Sequence, residues 1–269
     1  MQKTLQQLGF WLLLATAFVP PAAGQAALEK PATPAADQAE QLFSRMIVAM
    51  GGEPFLRATE IYGRGRIYSF NRGDLSSPGE RFVYYAKFPG KERIEFGKKG
   101  SIAYVNNGDQ GWELDRQGIR EQTPEAIEDF QQSNRRDFHN LLRARPRGET
   151  LKIYLMGRQF VDNRRVHILE LVDERNESVQ FYIDADNNLP LQLRYRERDP
   201  LTREWLDVVE SYGKYITVQG IKTAMHISRT RSKLRVLEVY FSEVSYNSGV
   251  ADSLFTRESL EERWASLKK

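Results

Sequence analysis

The sequence predicts a mainly β fold (α+β). It is a single strongly curved antiparallel sheet, an incomplete β-barrel of about 11 strands, with helices covering its concave side. Three observations carry this. Apolar residues alternate with period two through most of the chain after Ile61. Helical spacing is confined to one early, one middle and one terminal stretch, without the strand–helix alternation that parallel sheets need. A meander this long must curl. Composition agrees: 12 Tyr, 14 Phe and 4 Trp in 269 residues can fill a core.

The first 26 residues read as a secretory signal peptide. Lys3 gives the positive start, Leu8 to Val19 is uncharged, Pro20 and Pro21 break the run, and small residues follow. The run is too short for a membrane anchor, which needs roughly 20 apolar residues. Residues 27–36, rich in Ala and Pro, read as a flexible tether. Residues 37–269 are expected to form one domain. With no Cys after the leader, the protein is expected to be soluble in the periplasm and not a lipoprotein.

A helix is expected from Asp37, with Glu40 closing a capping box and Gly51-Gly52 ending it. Leu42, Phe43, Met46, Ile47 and Met50 form its apolar face. Strands follow at Phe82–Phe88, Arg93–Phe96, Ile102–Val105 and Gly111–Leu114. Thr123 and Pro124 start a second helix, expected to run to Leu142 with Ile127, Phe130, Phe138 and Leu141 on one side. Pro146 and Gly148 stop it. Strands resume at Leu151–Met156, Val166–Val172, Val179–Ile183, Leu189–Tyr195, Trp205–Glu210, Tyr215–Val218, Ile221–Ser228 and Leu234–Tyr246. A short helix bearing Leu260, Trp264 and Leu267 closes the chain.

The absence of Cys excludes disulfides, thiolate metal sites and thiol nucleophiles. The charge of +3 is a small surplus of interspersed signs, so no nucleic-acid partner is expected. His139, His167 and His226 share no ligand spacing and read as structural, so no metal site is expected. Asp184-Ala-Asp186-Asn-Asn188 starts like a calcium loop, but Leu189 and Tyr195 stand where Gly and Glu are required, so it reads as a hairpin turn. No nucleophile elbow or paired-carboxylate spacing suggests catalysis. The basic stretch from Arg135-Arg136 through Arg143, Arg145 and Arg147 reads either as a solvated helix face or as a contact for a phosphate head group or acidic partner.

Tyr62, Tyr68, Phe70, Tyr85 and Tyr104 join other aromatics in crowding the first half. They serve either core packing or the lining of an apolar ligand cavity.

At this point the chain resembles the Lol-type periplasmic lipoprotein carriers, or outer-membrane lipoprotein-sorting proteins. The helix running into Met50-Gly51-Gly52 carries the likeness. So do Tyr182-Ile183-Asp184 with Leu189-Pro190-Leu191, and Val218-Gln219-Gly220-Ile221. The most specific match is the stretch from Val244 to Phe255, with Asn247, Val250, Asp252 and Phe255 in register with the family's terminus. Ala224 stands where those proteins often have Pro. The resemblance implies a curved eleven-stranded sheet, an apolar cavity, no catalysis and no cofactor.

The expected function is therefore a periplasmic binding or carrier protein. Its partners would be a lipid or acylated lipoprotein and a membrane-protein donor or acceptor. The alternative is an envelope sensor or docking module of the same fold that binds a membrane protein. The expected cavity lining is Phe82, Tyr84, Phe88, Phe96 and Trp112 from the first strands, Phe130 and Phe138 from the middle helix, and Leu191 and Leu193. The segment Pro124–Leu142 is the expected lid.

Overall fold

The computed structural model describes residues 33–268 except 78, 98 and 199–201. The expected leader and the start of the tether lie outside the described residues. Helix α1 spans Thr33–Met50 and so begins ahead of Asp37, which lies inside it. Pro34 sits in the first turn, where its missing N–H does no harm. The Gly51 N–H donates to the Val48 carbonyl (3.0 Å) and the Gly52 N–H to that of Ile47 (2.9 Å). Both glycines have positive φ (125° and 61°), which ends the helix. Helix α2, Glu53–Arg57, follows at once.

The first run of strands is β1 (Glu60–Asn71), β2 (Asp74–Leu75), β3 (Glu80–Lys87), β4 (Lys91–Phe96), β5 (Ile102–Asn107), β6 (Gln110–Asp115) and β7 (Gly118–Glu121). Helices α3 (Pro124–Arg136) and α4 (Phe138–Leu142) and a 3₁₀ turn at Arg145–Arg147 come next. The second run is β8 (Lys152–Val161), β9 (Arg164–Val172), β10 (Ser178–Asp184), β11 (Pro190–Arg198), β12 (Trp205–Val218), β13 (Ile221–Arg231) and β14 (Leu234–Tyr246). Helix α5, Arg257–Leu267, ends the fold.

All fourteen strands form one antiparallel sheet, ordered β7-β6-β5-β4-β3-β1-β14-β13-β12-β11-β10-β9-β8 with β2 beside β1. The sheet is not closed: β7 and β8 are its free ends, and α3 and α4 are the chain between them. The count exceeds the expected eleven because no expected strand covers β1, β2 or β7, and the last two have only two and four residues, too few to show a period. Conversely, β12 joins two expected strands. Lys214, at φ 53°, is skipped between the pairs Gly213–His226 and Tyr215–Ala224, which hides the continuity from a period-two reading.

The curvature has an identifiable seam. The β1–β14 register slips between Arg64 and Gly65. A side chain on Gly65 would run into the Tyr240 carbonyl oxygen, and one on Gly63 would meet the Phe241 ring at 2.7 Å. Bare backbone at these two positions lets β14 and the Phe241 ring approach β1.

The inner face carries the main core. Leu42, Phe43, Met46, Ile47 and Met50 of α1, Phe55 of α2, and Phe138, Leu141 and Leu142 of α4 are buried there with Leu169, Phe181, Leu193 and Tyr212 of the sheet. Three helices, α1, α2 and α4, thus bury side chains on the inner face, which helices cover as expected. The last helix does not: α5 packs Leu260, with Trp264 and Leu267, against Ala103, Val105 and Leu114. Ala103 and Val105 alternate along β5 with Tyr104 and Asn106, so α5 lies on the opposite face.

The expected helix over Pro124–Leu142 is two helices. Thr123 caps α3 through the Ala126 N–H as expected, but Asp137 is extended (φ −59°, ψ 134°) and its side chain accepts from the Asn140 N–H at 3.0 Å, starting α4.

Candidate ligand cavity

On the inner face, in-register rows run across the first strands. Tyr84 faces Ile94, which faces Tyr104; Phe82 faces Phe96, which faces Ile102. Helix α3 lies over the first row, and none of its 13 residues is buried. Between helix and sheet is a cavity of about 410 Å³. Tyr84, Phe88, Ile94, Tyr104 and Phe130 give it apolar wall, and Tyr195, Glu210 and Arg229 enter from the second run of strands. Two wider grooves, about 890 and 790 Å³, have charged residues such as Arg194, Arg196 and Asp207, or Arg64, Arg81 and Lys99, in their walls.

The nine expected lining residues part into four groups. Tyr84, Phe88 and Phe130 line the cavity. Phe82 and Phe96 occupy the next inner-face row, Phe82 edge-on to Phe241 at 5.4 Å and Phe96 to Tyr104 at 6.4 Å. Phe138 and Leu193 are core residues, Phe138 lying 5.1 Å from the Tyr212 ring and 6.1 Å from Phe181. Trp112 and Leu191 sit on the outer face, Trp112 beside α5 and Leu191 beside Ile168 and Tyr182. The outer position of Trp112 follows from its pairing with Val105, whose side chain points away from the cavity.

The cavity also holds charge that the sequence reading missed. Glu210 accepts hydrogen bonds from Arg229 Nε (3.0 Å), Tyr212 (2.9 Å) and Tyr195 (3.3 Å), and pairs with Arg229 Nη2 at 2.7 Å. Its charge holds the Arg229 guanidinium above its ordinary range, and burial raises both phenols. Among the described residues Glu92 accepts only from the Tyr84 hydroxyl, at 3.3 Å. Burial, and then the charge of Asp137, push the Glu92 carboxyl up to about 7. Burial likewise raises Asp137 to about 6, against the pull of the Asn140 N–H. Among the described residues neither Glu92 nor Asp137 has an ion-pair partner.

A signal for two of these groups exists in the pattern. Glu92 alternates in phase with Ile94 and Phe96, and Glu210 with Val208 and Tyr212. Each is a charge on an otherwise apolar strand face.

The basic stretch is not a free surface. Arg135 and Arg136 reach Glu177 (3.5 and 3.3 Å), and Arg145 and Arg147 bind Glu40 and Glu149, both at 2.5 Å. Arg143 is 3% exposed. It lies over Phe55 and Phe88 (4.3 and 4.7 Å) and donates to the Phe55 carbonyl at 2.8 Å. Burial lowers its pKa to about 10. His139 lies against the same two rings, 5.9 Å from Phe55 and 5.2 Å from Phe88, and burial pushes it well below its ordinary pKa. Among the described residues no group of acids and histidines is placed to hold a metal ion. No helix there is long and apolar enough to cross a membrane.

No family model and no curated protein matches the sequence. Solved structures do. A DUF1329 family protein from Desulfovibrio piger superposes with TM-score 0.58 at 15% identity, over 84% of this chain and 99% of that one. A domain named as an outer membrane lipoprotein-sorting protein from Vibrio parahaemolyticus gives 0.55 at 12% identity, over 84% and 99%. A LolA superfamily protein from Nitrosomonas europaea gives 0.55 at 13% identity, over 82% and 99%. The chain therefore has the fold shared by the LolA superfamily and the outer-membrane lipoprotein-sorting domains.

Proposed function

We propose that the protein is a periplasmic binding or carrier protein that holds the acyl chain of a lipid or lipoprotein under α3. One observation carries the reading: an amphipathic helix without a buried side chain roofs an inner-face cavity of about 410 Å³. That volume is within the range of small-molecule sites. A helix held by so little apolar contact can lift at small cost and admit a chain.

The energetics suit a carrier. Each methylene gains about 0.8 kcal/mol on leaving water. A chain moving from a bilayer into an apolar cavity exchanges like for like, so modest affinity differences can drive loading and release. The likeness in fold to lipoprotein-sorting domains supports the same reading. The inner-face lining extends it beyond the cavity through Phe82, Phe96 and Phe241.

The test is native mass spectrometry of protein purified from a periplasm, followed by titration with a fluorescent fatty acid. A co-purifying lipid, or saturable uptake weakened by Phe130→Ala, is the expected result. A clean apo mass with no uptake would overturn the carrier reading in favour of a docking module of the same fold.

A further inference from the structure

The cavity walls are unbalanced in a specific way. Every lining Lys or Arg has an acidic partner. Lys87 and Lys91 bind Asp252 (3.4 and 2.8 Å), Arg136 binds Glu177, and Arg229 binds Glu210. The carboxylates of Glu92 and Asp137 have no such partner among the described residues.

Neutral acceptors are also left over. Asn140 is 4% exposed and borders the cavity. Its amide nitrogen donates to the Asn134 carbonyl and side-chain oxygens (2.9 and 2.8 Å), which fixes the other end of the amide as an oxygen. That buried Oδ1 has no donor among the described residues. Asn106, 6% exposed on the same cavity, has a second buried oxygen without a donor. Buried acceptors without donors are rare and unfavourable.

The missing complement is a positively charged group rich in N–H donors, attached to something that suits aromatic walls. Resting on the carrier reading above, we infer that the cavity takes amphiphiles whose polar end is a protonated primary amine, set against Glu92, Asp137 and Asn140 with its chain along Tyr84, Phe88 and Phe130. An ammonium supplies three N–H donors and the compensating charge. A fatty carboxylate would add another anion to a space where Glu92, Asp137 and, on α3, Asp129 already lack an ion-pair partner among the described residues. A quaternary ammonium would supply charge but no donors. Burial already raises both carboxyls, so an arriving cation would drive their protons off, and amine binding should tighten as pH rises from 6 to 8.

The experiment is calorimetric titration of the full mature protein with dodecylamine, dodecyltrimethylammonium and laurate, each below its micelle concentration, at pH 6 and 8. Dodecylamine should bind about tenfold tighter than laurate, the effect of one charge-assisted hydrogen bond, and tighter than the trimethyl compound. Glu92→Gln and, separately, Asp137→Asn, which keeps an N-cap side chain, should each cut the amine-to-laurate affinity ratio by about tenfold. Laurate binding as tightly as the amine, or a ratio unmoved by both substitutions, would overturn the amine assignment and leave the carrier reading standing. Equal binding of the trimethyl compound would overturn the role given to N–H donors. Failure of all three to bind would remove the carrier reading itself.

Discussion

Phe130 and Phe138 are eight residues apart on what the sequence presents as one helical face, yet their removal should have opposite consequences. Phe138 is 7% exposed and lies among Phe55, Phe181, Tyr212 and His139, with ring centroids 5.1–6.3 Å away. Truncating such a ring leaves a void walled by α2, α4 and two strands, and typically costs about 3–5 kcal/mol. For a domain of this size each kcal/mol moves Tm by roughly 2–4 °C, so Phe138→Ala should lower Tm by about 6–20 °C. Phe130 belongs to a helix with no buried residue, and its ring faces the cavity. Phe130→Ala removes only part of a side chain's burial, about 1 kcal/mol or less. Urea unfolding gives both free energies, and fatty-acid titration at 20 °C gives uptake. The expected pattern is Phe138→Ala unstable and Phe130→Ala stable with weakened uptake. If Phe130→Ala is as destabilising as Phe138→Ala, α3 is a core helix and the lid argument fails.

Three further outcomes follow from the same packing. Glu92 titrates at about 7 in the folded chain, above its ordinary value, so between about pH 4.5 and 7 the folded state holds a proton the unfolded chain has released. Stability from that proton is full below the unfolded pKa and lost as pH rises through 7. At ~1.4 kcal/mol per unit, wild type should lose about 2–4 kcal/mol relative to Glu92→Gln between pH 4.5 and 8, read from urea midpoints. A difference that is flat with pH would show Glu92 to be solvated. Gly65→Ala would set a methyl against the Tyr240 carbonyl at the β1–β14 bulge and should cost roughly 1–3 kcal/mol or more, whereas a neutral effect would show that the seam can open. The His139 ring, buried beside Arg143, should show no NMR titration between pH 7.5 and 5.5, and a shift of its ring protons there would contradict its burial.

The fold was legible because its rules are periodic. The five apolar residues of α1, the Gly51-Gly52 stop, the Thr123 cap and the Asp184–Asn188 turn are each local signals, and each is where the structure has it. In that turn Asp184 Oδ1 accepts from the Asp186 N–H at 2.7 Å, hairpin chemistry without a calcium ligand set. What failed was nonlocal. Helical spacing continues through Asp137, so only the extended backbone there reveals that Phe130 and Phe138 sit in different helices. Period two gives two faces but not which one is inner, so Trp112 lies outside; Leu191 shares the phase of Leu193, but the β10–β11 register slips between Tyr182 and Ile183 and turns it to the outer face. Aromatic content pointed to the cavity and concealed Glu92 and Glu210, although both stand in apolar phase.

The residues that carried the resemblance explain why it spoke for scaffold and not for ligand. Asn247 Oδ1 accepts from the Thr59 N–H at 2.9 Å and from its hydroxyl at 3.2 Å, tying the end of β14 to the start of β1. Gln219 donates to the Tyr246 carbonyl (3.0 Å) and accepts from its N–H (2.6 Å), so a turn side chain extends the ladder. Val250 and Phe255 are buried under the outer cluster, and Asp252 holds Lys87 and Lys91. Together these contacts tie the end of β14 and the chain after it to β1, to the β12–β13 turn and to the first run of strands, and a half-open barrel needs them whatever it holds. The cavity obeys a different requirement. Two half-buried carboxyls without an ion-pair partner among the described residues, and buried amide oxygens without donors there, are unfavourable in the empty protein. Such groups fit a site whose polar complement arrives with the ligand, so the chemistry of the cargo is read from the mismatch in the cavity and not from the residues that build the fold.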